Sequence, residues 1–155
     1  MTTTDTTATD PSAEARTSHP MIFVNLPVAD IDASRKFFTA VGYGFDEKMC
    51  NGEALALELG PSLYAMLLRR DFFARFHTAT TADPGHHEVL TCLAAGSAGE
   101  VDRIVDAAVA AGGKDLRTEQ EGEWMYGRSY TDLDGHIWEI MWMDVAAATA
   151  AGAFG

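Results

Sequence analysis

The order of apolar patterns along this 155-residue chain predicts an α+β fold. Two βαβββ modules would lie side by side as an incomplete barrel, with a central cavity and helices outside. Three observations carry that expectation. Short alternating apolar runs read as strands, and two longer runs with apolar residues at helical spacing read as helices. The order strand, helix, strand, strand, strand then occurs twice between Met21 and Asp144.

In the first module (21–70) the run 21–28 (MIFVNLPV) alternates like a strand. Ile22, Val24, Leu26 and Val28 share one face, suited to packing under a helix, and Phe23 and Asn25 share the other. Asp30 or Asp32 can cap a helix whose apolar side is Phe37, Phe38 and Val41, with Gly42 as its stop. Strands are expected over 43–50, 53–59 and 63–68, divided by Asn51-Gly52 and Gly60-Pro61, since Asn-Gly tolerates the positive φ of a tight hairpin. A connection (71–85) holds a helical turn (DFFARFH) and a polar stretch ending in Pro84-Gly85.

The second module (86–144) begins with a strand over 87–94. Ser97 caps a helix marked by Val101, Ile104, Val105, Ala108 and Val109, which Gly112-Gly113 ends. Strands follow over 115–121, 124–130 and 136–143, the last two joined by the Asp132-Leu133-Asp134-Gly135 turn. Residues 1–20 are Thr-, Ala- and Asp-rich without apolar periodicity and read as a disordered tail carrying no secretory signal. Residues 145–155 form an Ala-rich tail that either frays or docks as a short helix.

Composition narrows the function. Eleven Lys and Arg against 23 Asp and Glu give a formal charge of −12, which repels nucleic acid and anionic membrane surfaces. No apolar run approaches the roughly 20 residues of a membrane span. Cys50 and Cys92 are too few for a disulfide framework and read as small buried hydrophobes in a reducing cytoplasm. Neither a nucleophile signature nor a phosphate-binding glycine loop is present.

Glu139 is the outstanding polar residue, an acid inside the apolar strand IWEIMWM, where an unpaired carboxylate costs several kcal/mol or takes a proton. It is the candidate catalytic acid–base group; its structural alternative is pairing with Arg128 or a tyrosine. Phe23, Asn25, Tyr64 and Met66 form candidate cavity wall in module one. Trp124, Tyr126 and Arg128 alternate along one strand and are candidate ligand contacts in module two. His136, by alternation from Glu139, faces the other way.

Two stretches carry a family resemblance: FVNLPVADIDASRKFFTAVGY (23–43) and MYGRSYTDLDGHIWEIMWMD (125–144). They resemble the vicinal oxygen chelate superfamily of glyoxalase I, bleomycin- and fosfomycin-resistance proteins and extradiol dioxygenases. The Met-Tyr-Gly-Arg run is most similar to its bacterial branch of predicted lactoylglutathione lyases. The resemblance implies one domain over 21–144, a small-molecule ligand and a homodimer. It also implies metal ligands on the first and last strand of each module, positions that fall here on Phe23, Met66 or alternatively Tyr64, Glu88 and Glu139. Half of that set is apolar, so the expectation is a glyoxalase-like protein with a degenerate metal site and no tightly bound cofactor. The alternative is a metal-dependent lyase or isomerase holding nickel, zinc or manganese through Glu139 with Glu88, or with His87 if the strand slips by one residue.

Overall fold

A computed structural model describes residues 17–154. Most of the expected N-terminal tail, residues 1–16, lies outside the described residues, and 17–20 are irregular and exposed.

Module one contains β1 (Ile22–Val28), α1 (Ile31–Val41), β2 (Gly44–Phe45), β3 (Ala54–Gly60) and β4 (Leu63–Arg69). Its sheet runs β1-β4-β3-β2, with β1 parallel to β4. A short helix, α2 (Arg70–Phe73), and a 3-10 turn open the connection. Module two repeats the pattern with β5 (Leu90–Ala94), α3 (Ala98–Ala110), β6 (Lys114–Glu121), β7 (Met125–Thr131) and β8 (Ile137–Met143). Its sheet runs β5-β8-β7-β6, again with the first strand parallel to the last. Among the described residues no strand pairing joins the two sheets, which leaves the barrel open.

The capping residues behave as their chemistry requires. Asp30 accepts from the Ala33 amide and Ser97 from the Glu100 amide, each filling an orphan donor of a first helical turn. Gly113 sits where α3 returns to the sheet; a Cβ there would meet the Thr131 carbonyl at 2.7 Å and the Ala108 carbonyl at 2.9 Å. Only glycine permits that approach. Asp144 caps α4 (Val145–Ala150), so the C-terminal tail forms a short helix with Ala148 buried.

One core serves both modules. Val28, Leu55, Leu57 and Leu67 from the first sheet meet Tyr130, Trp138 and Ile140 from the second around Phe37, Phe38, Val101 and Val105 of the helices. Phe38 lies edge-on to Trp138 at 5.4 Å, tying α1 to the opposite module.

Two expected strands shorten. The run 43–50 holds only the two-residue β2 and then a 3-10 turn (Glu47–Met49), because Asp46 takes the Lys48 amide and bends the chain away from pairing. Asn51 accepts the Glu53 and Ala54 amides, an Asx turn in place of the expected hairpin. The run 87–94 becomes a strand only at Leu90, so His87 and Glu88 lie outside the ladder.

Candidate functional site

Each sheet buries one face on the helices and leaves the other open. In module two Trp138, Ile140 and Tyr130 take the helix side. Alternation therefore turns Glu139, Met141 and Ser129 to the open face. Register sets a row across all four strands: Cys92 beside Glu139, Glu139 beside Ser129, Ser129 beside Arg117. These residues line a small cavity of about 50 Å³ with Met125, Gly127 and Met141 among its walls. No residue of module one lines it, so the Glu139 cavity is walled by one module rather than enclosed by both.

The Glu139 carboxylate is half-buried and has no hydrogen-bond or ion-pair partner among the described residues. Burial pushes the Cys92 thiol up, and the neighbouring Glu139 charge adds to that. The thiol is thus neutral at physiological pH and a poor nucleophile. Arg117 pairs with Glu119 at the rim.

On the open face of module one, Phe23 and Tyr64 stack at 5.3 Å with planes 16° apart. Asn25 and Met66 pair in the next row. Phe23 remains 40% exposed, an aromatic platform left without cover.

The other module-two candidates turn toward α3. Tyr126 donates to Asp102 at 2.7 Å, and Arg128 reaches Asp102, Asp106 and Asp115 at 3.0, 2.8 and 2.7 Å. Burial works to lower the Arg128 pKa, but the hydrogen bonds to the three carboxylates outweigh it and raise the value. Arg128 borders the Glu139 cavity while its guanidinium is held on the helix side, and it does not pair with Glu139. Trp124 lies in the turn before β7, where its carbonyl accepts the Asp144 amide.

The Asp132–Gly135 turn is organised by the buried Asp132, which accepts from Asp134 N, His136 N and Trp138 Nε1. That arrangement exports two groups to module one: Asp134 accepts the Ala29 amide at 2.8 Å and His136 donates to the Pro27 carbonyl at 2.6 Å. His136 also lines a separate pocket together with His87 and Glu88. The structure therefore divides the residues of the metal-dependent alternative between two cavities, Glu139 in one and His87 and Glu88 in the other.

Comparison with known proteins agrees with this architecture. Residues 21–58 match the family described as bleomycin resistance protein-like N-terminal. A glyoxalase-related enzyme from Fulvimarina pelagi superposes with a TM-score of 0.67 at 23% identity, covering 77% of this chain and 85% of that one. The chain has the vicinal oxygen chelate fold. Lactoylglutathione lyase from Agrobacterium tumefaciens shares it at 19% identity and a TM-score of 0.59, over 82% of this chain and 96% of the other. So does a bleomycin-binding protein in complex with bleomycin, at 16% identity and a TM-score of 0.57, over 80% and 98%. No curated protein matches the sequence.

The family resemblance implies a metal held on the open sheet faces, and the donors grouped there fit one poorly. A divalent ion takes several carboxylate or imidazole donors. The Glu139 cavity offers two carboxylates, of which Glu119 is paired with Arg117, together with a thiol and a hydroxyl, and the module-one face offers Glu58, Tyr64 and Asn25 among apolar groups. Among the described residues no three His, Cys, Asp or Glu side chains group closely enough to hold a metal.

Sequence reasoning missed Cys92, Ser129 and Arg117. Cys92 is exposed on the open face rather than a buried hydrophobe. The signal was in the caps: Asp30 and Ser97 begin equivalent helices, which makes Cys92 the counterpart of Asn25 and Leu90, not Glu88, the counterpart of Phe23.

Proposed function

We propose that the protein binds a small organic molecule on its open sheet faces, without a tightly held metal, and that Glu139 is the group that meets the ligand's polar centre. The observation carrying this reading is the half-buried Glu139 carboxylate, left without a partner among the described residues, in a small cavity of about 50 Å³ on the open sheet face. An acid so placed accepts an N–H or O–H from a ligand, or exchanges a proton with it. The Phe23–Tyr64 stack supplies a flat apolar surface for a planar group, with Asn25 and Met66 beside it. The fold shared with a bleomycin-binding protein supports the same reading.

Each open face is half a site, so the functional unit is a homodimer in which a second copy completes the walls. The poor donor set supports metal-independent binding or chemistry, with Glu139 as the acid–base residue.

The test combines three measurements on the full chain. Elemental analysis after chelator-free purification is expected to find far less than one metal ion per chain. Thermal shift against a panel of planar drugs, bleomycin included, is expected to give stabilisation that Glu139→Gln and Phe23→Ala each reduce. Light scattering is expected to report a dimer. One metal ion per chain that disappears in Glu139→Gln would overturn the reading in favour of the metal-dependent lyase or isomerase.

A further inference from the structure

A second cavity, of about 410 Å³, opens where the connection crosses between the modules, within the range of roughly 300–1,000 Å³ usual for small-molecule pockets. It shares no lining residue with the Glu139 cavity. Its apolar wall is Leu26, Phe73 and Val89, and Phe73 lies edge-on to His77 at 5.2 Å.

The charges around it sort cleanly. Asp83 is taken by His86 at 2.8 Å and by the Gly85 amide. Asp134 is taken by the Ala29 amide. His136 is committed to the Pro27 carbonyl, and His77 to the Thr81 hydroxyl. Among the described residues Arg70, Glu88 and Asp134 of this lining make no ion pair, with Asp83 near enough to Arg70 for the guanidinium to help lower the Asp83 pKa, and Arg70 and Glu88 keep the most unused polar capacity. Arg70 makes one hydrogen bond, from Nη2 to the Ala82 carbonyl, and no ion pair, while Glu88 makes neither. A guanidinium keeps several further N–H donors in a planar fork suited to a carboxylate. Glu88 lines the same cavity, and its unpaired carboxylate calls for a cation.

We propose that this connection pocket binds a small zwitterion carrying an apolar ring, of the chemical class of an aromatic α-amino acid. The ligand's carboxylate sits on Arg70, its ammonium on Glu88, and its ring against Phe73 and Leu26. The site is independent of the reading given for Glu139.

Calorimetric titration of the full chain with L-phenylalanine tests this directly, with hydrocinnamate and phenethylamine as probes lacking the ammonium and the carboxylate. Arg70→Met and Glu88→Gln are each expected to weaken phenylalanine binding about tenfold or more. Hydrocinnamate should be indifferent to Glu88→Gln and phenethylamine to Arg70→Met. Glu88 is exposed, so its variant keeps the test open should Arg70→Met fail to fold. Absence of heat with phenylalanine at millimolar concentration, or equal affinity in both variants and the parent, would overturn the proposal. Binding lost in Glu139→Gln but kept in both pocket variants would also overturn it, by moving the ligand to the sheet face.

Discussion

His136 donates its Nε2 hydrogen to the carbonyl of Pro27 at 2.6 Å, so the closing turn of module two is fastened to the end of the first strand of module one. With Asp134 and the Ala29 amide it makes a two-bond clasp between residues more than a hundred positions apart. His136→Ala is expected to cost about 1 kcal/mol, the net worth of one such bond, and a clasp variant with Asp134→Ala about twice that. Denaturant unfolding checks both values. Hydrogen exchange should rise first at the Ala29 amide, whereas a change confined to the His136 turn would refute the clasp.

Asp132 holds the turn from within. It is buried, accepts three hydrogen bonds and has its pKa raised, chiefly by burial. Asp132→Ala strands three donors, one of them the buried Trp138 indole N–H, and is expected to cost about 2–3 kcal/mol. Asp132→Asn should cost less, since one amide oxygen still accepts. Equal losses in the two variants, measured by chemical denaturation, would show that the bonds are not what matters.

The tyrosines set the alkaline limit. Burial pushes Tyr43 up to about 12, and it also raises Tyr130, whose hydroxyl is buried without a partner among the described residues. A raised folded-state pKa means that the unfolded chain loses its phenolic proton first. Stability is therefore complete below about pH 10 and falls as pH rises toward 12, by roughly 2 kcal/mol for Tyr43. Tyr43→Phe should flatten that fall, followed by melting temperature against pH. Tyr130→Phe removes an unsatisfied hydroxyl and is expected to be neutral or stabilising by up to about 1 kcal/mol near neutrality.

Arg128 fastens α3 to its sheet through Asp102, Asp106 and Asp115. The Tyr126 hydroxyl, and after it Arg128, hold Asp102 below the usual carboxylate range. A depressed carboxylate stabilises above its unfolded value, near pH 4, and that support disappears as pH falls through the lower folded value. Arg128→Met is expected to cost about 1–2 kcal/mol, because its partners are solvent-exposed, and to flatten the acid limb of the stability profile. Arg128→Lys should recover only part, since a single ammonium cannot reproduce the fork.

The fold was legible because its signals are local. Asp30 and Ser97 announce two helices, and Phe37, Phe38, Val101 and Val105 mark the sides that became the core. The site was legible only in part. Glu139 stood out as an acid in an apolar strand, and Phe23 with Tyr64 followed from alternation. Cys92 and Ser129 are invisible without the register that sets them beside Glu139. Tyr126 and Arg128 alternate as a strand face should, but alternation does not say which face meets the helix. The partner that decides it is Asp102, whose place on α3 is fixed only by tertiary packing.

Each sheet is completed by its own half of the chain, and the halves meet through side chains and the two bonds at the Asp132–Gly135 turn. A backbone cut in the exposed stretch near Pro84 would sever no ladder. The two fragments, expressed separately, should find one another and reassemble, and new termini placed there should yield a circular permutant that folds.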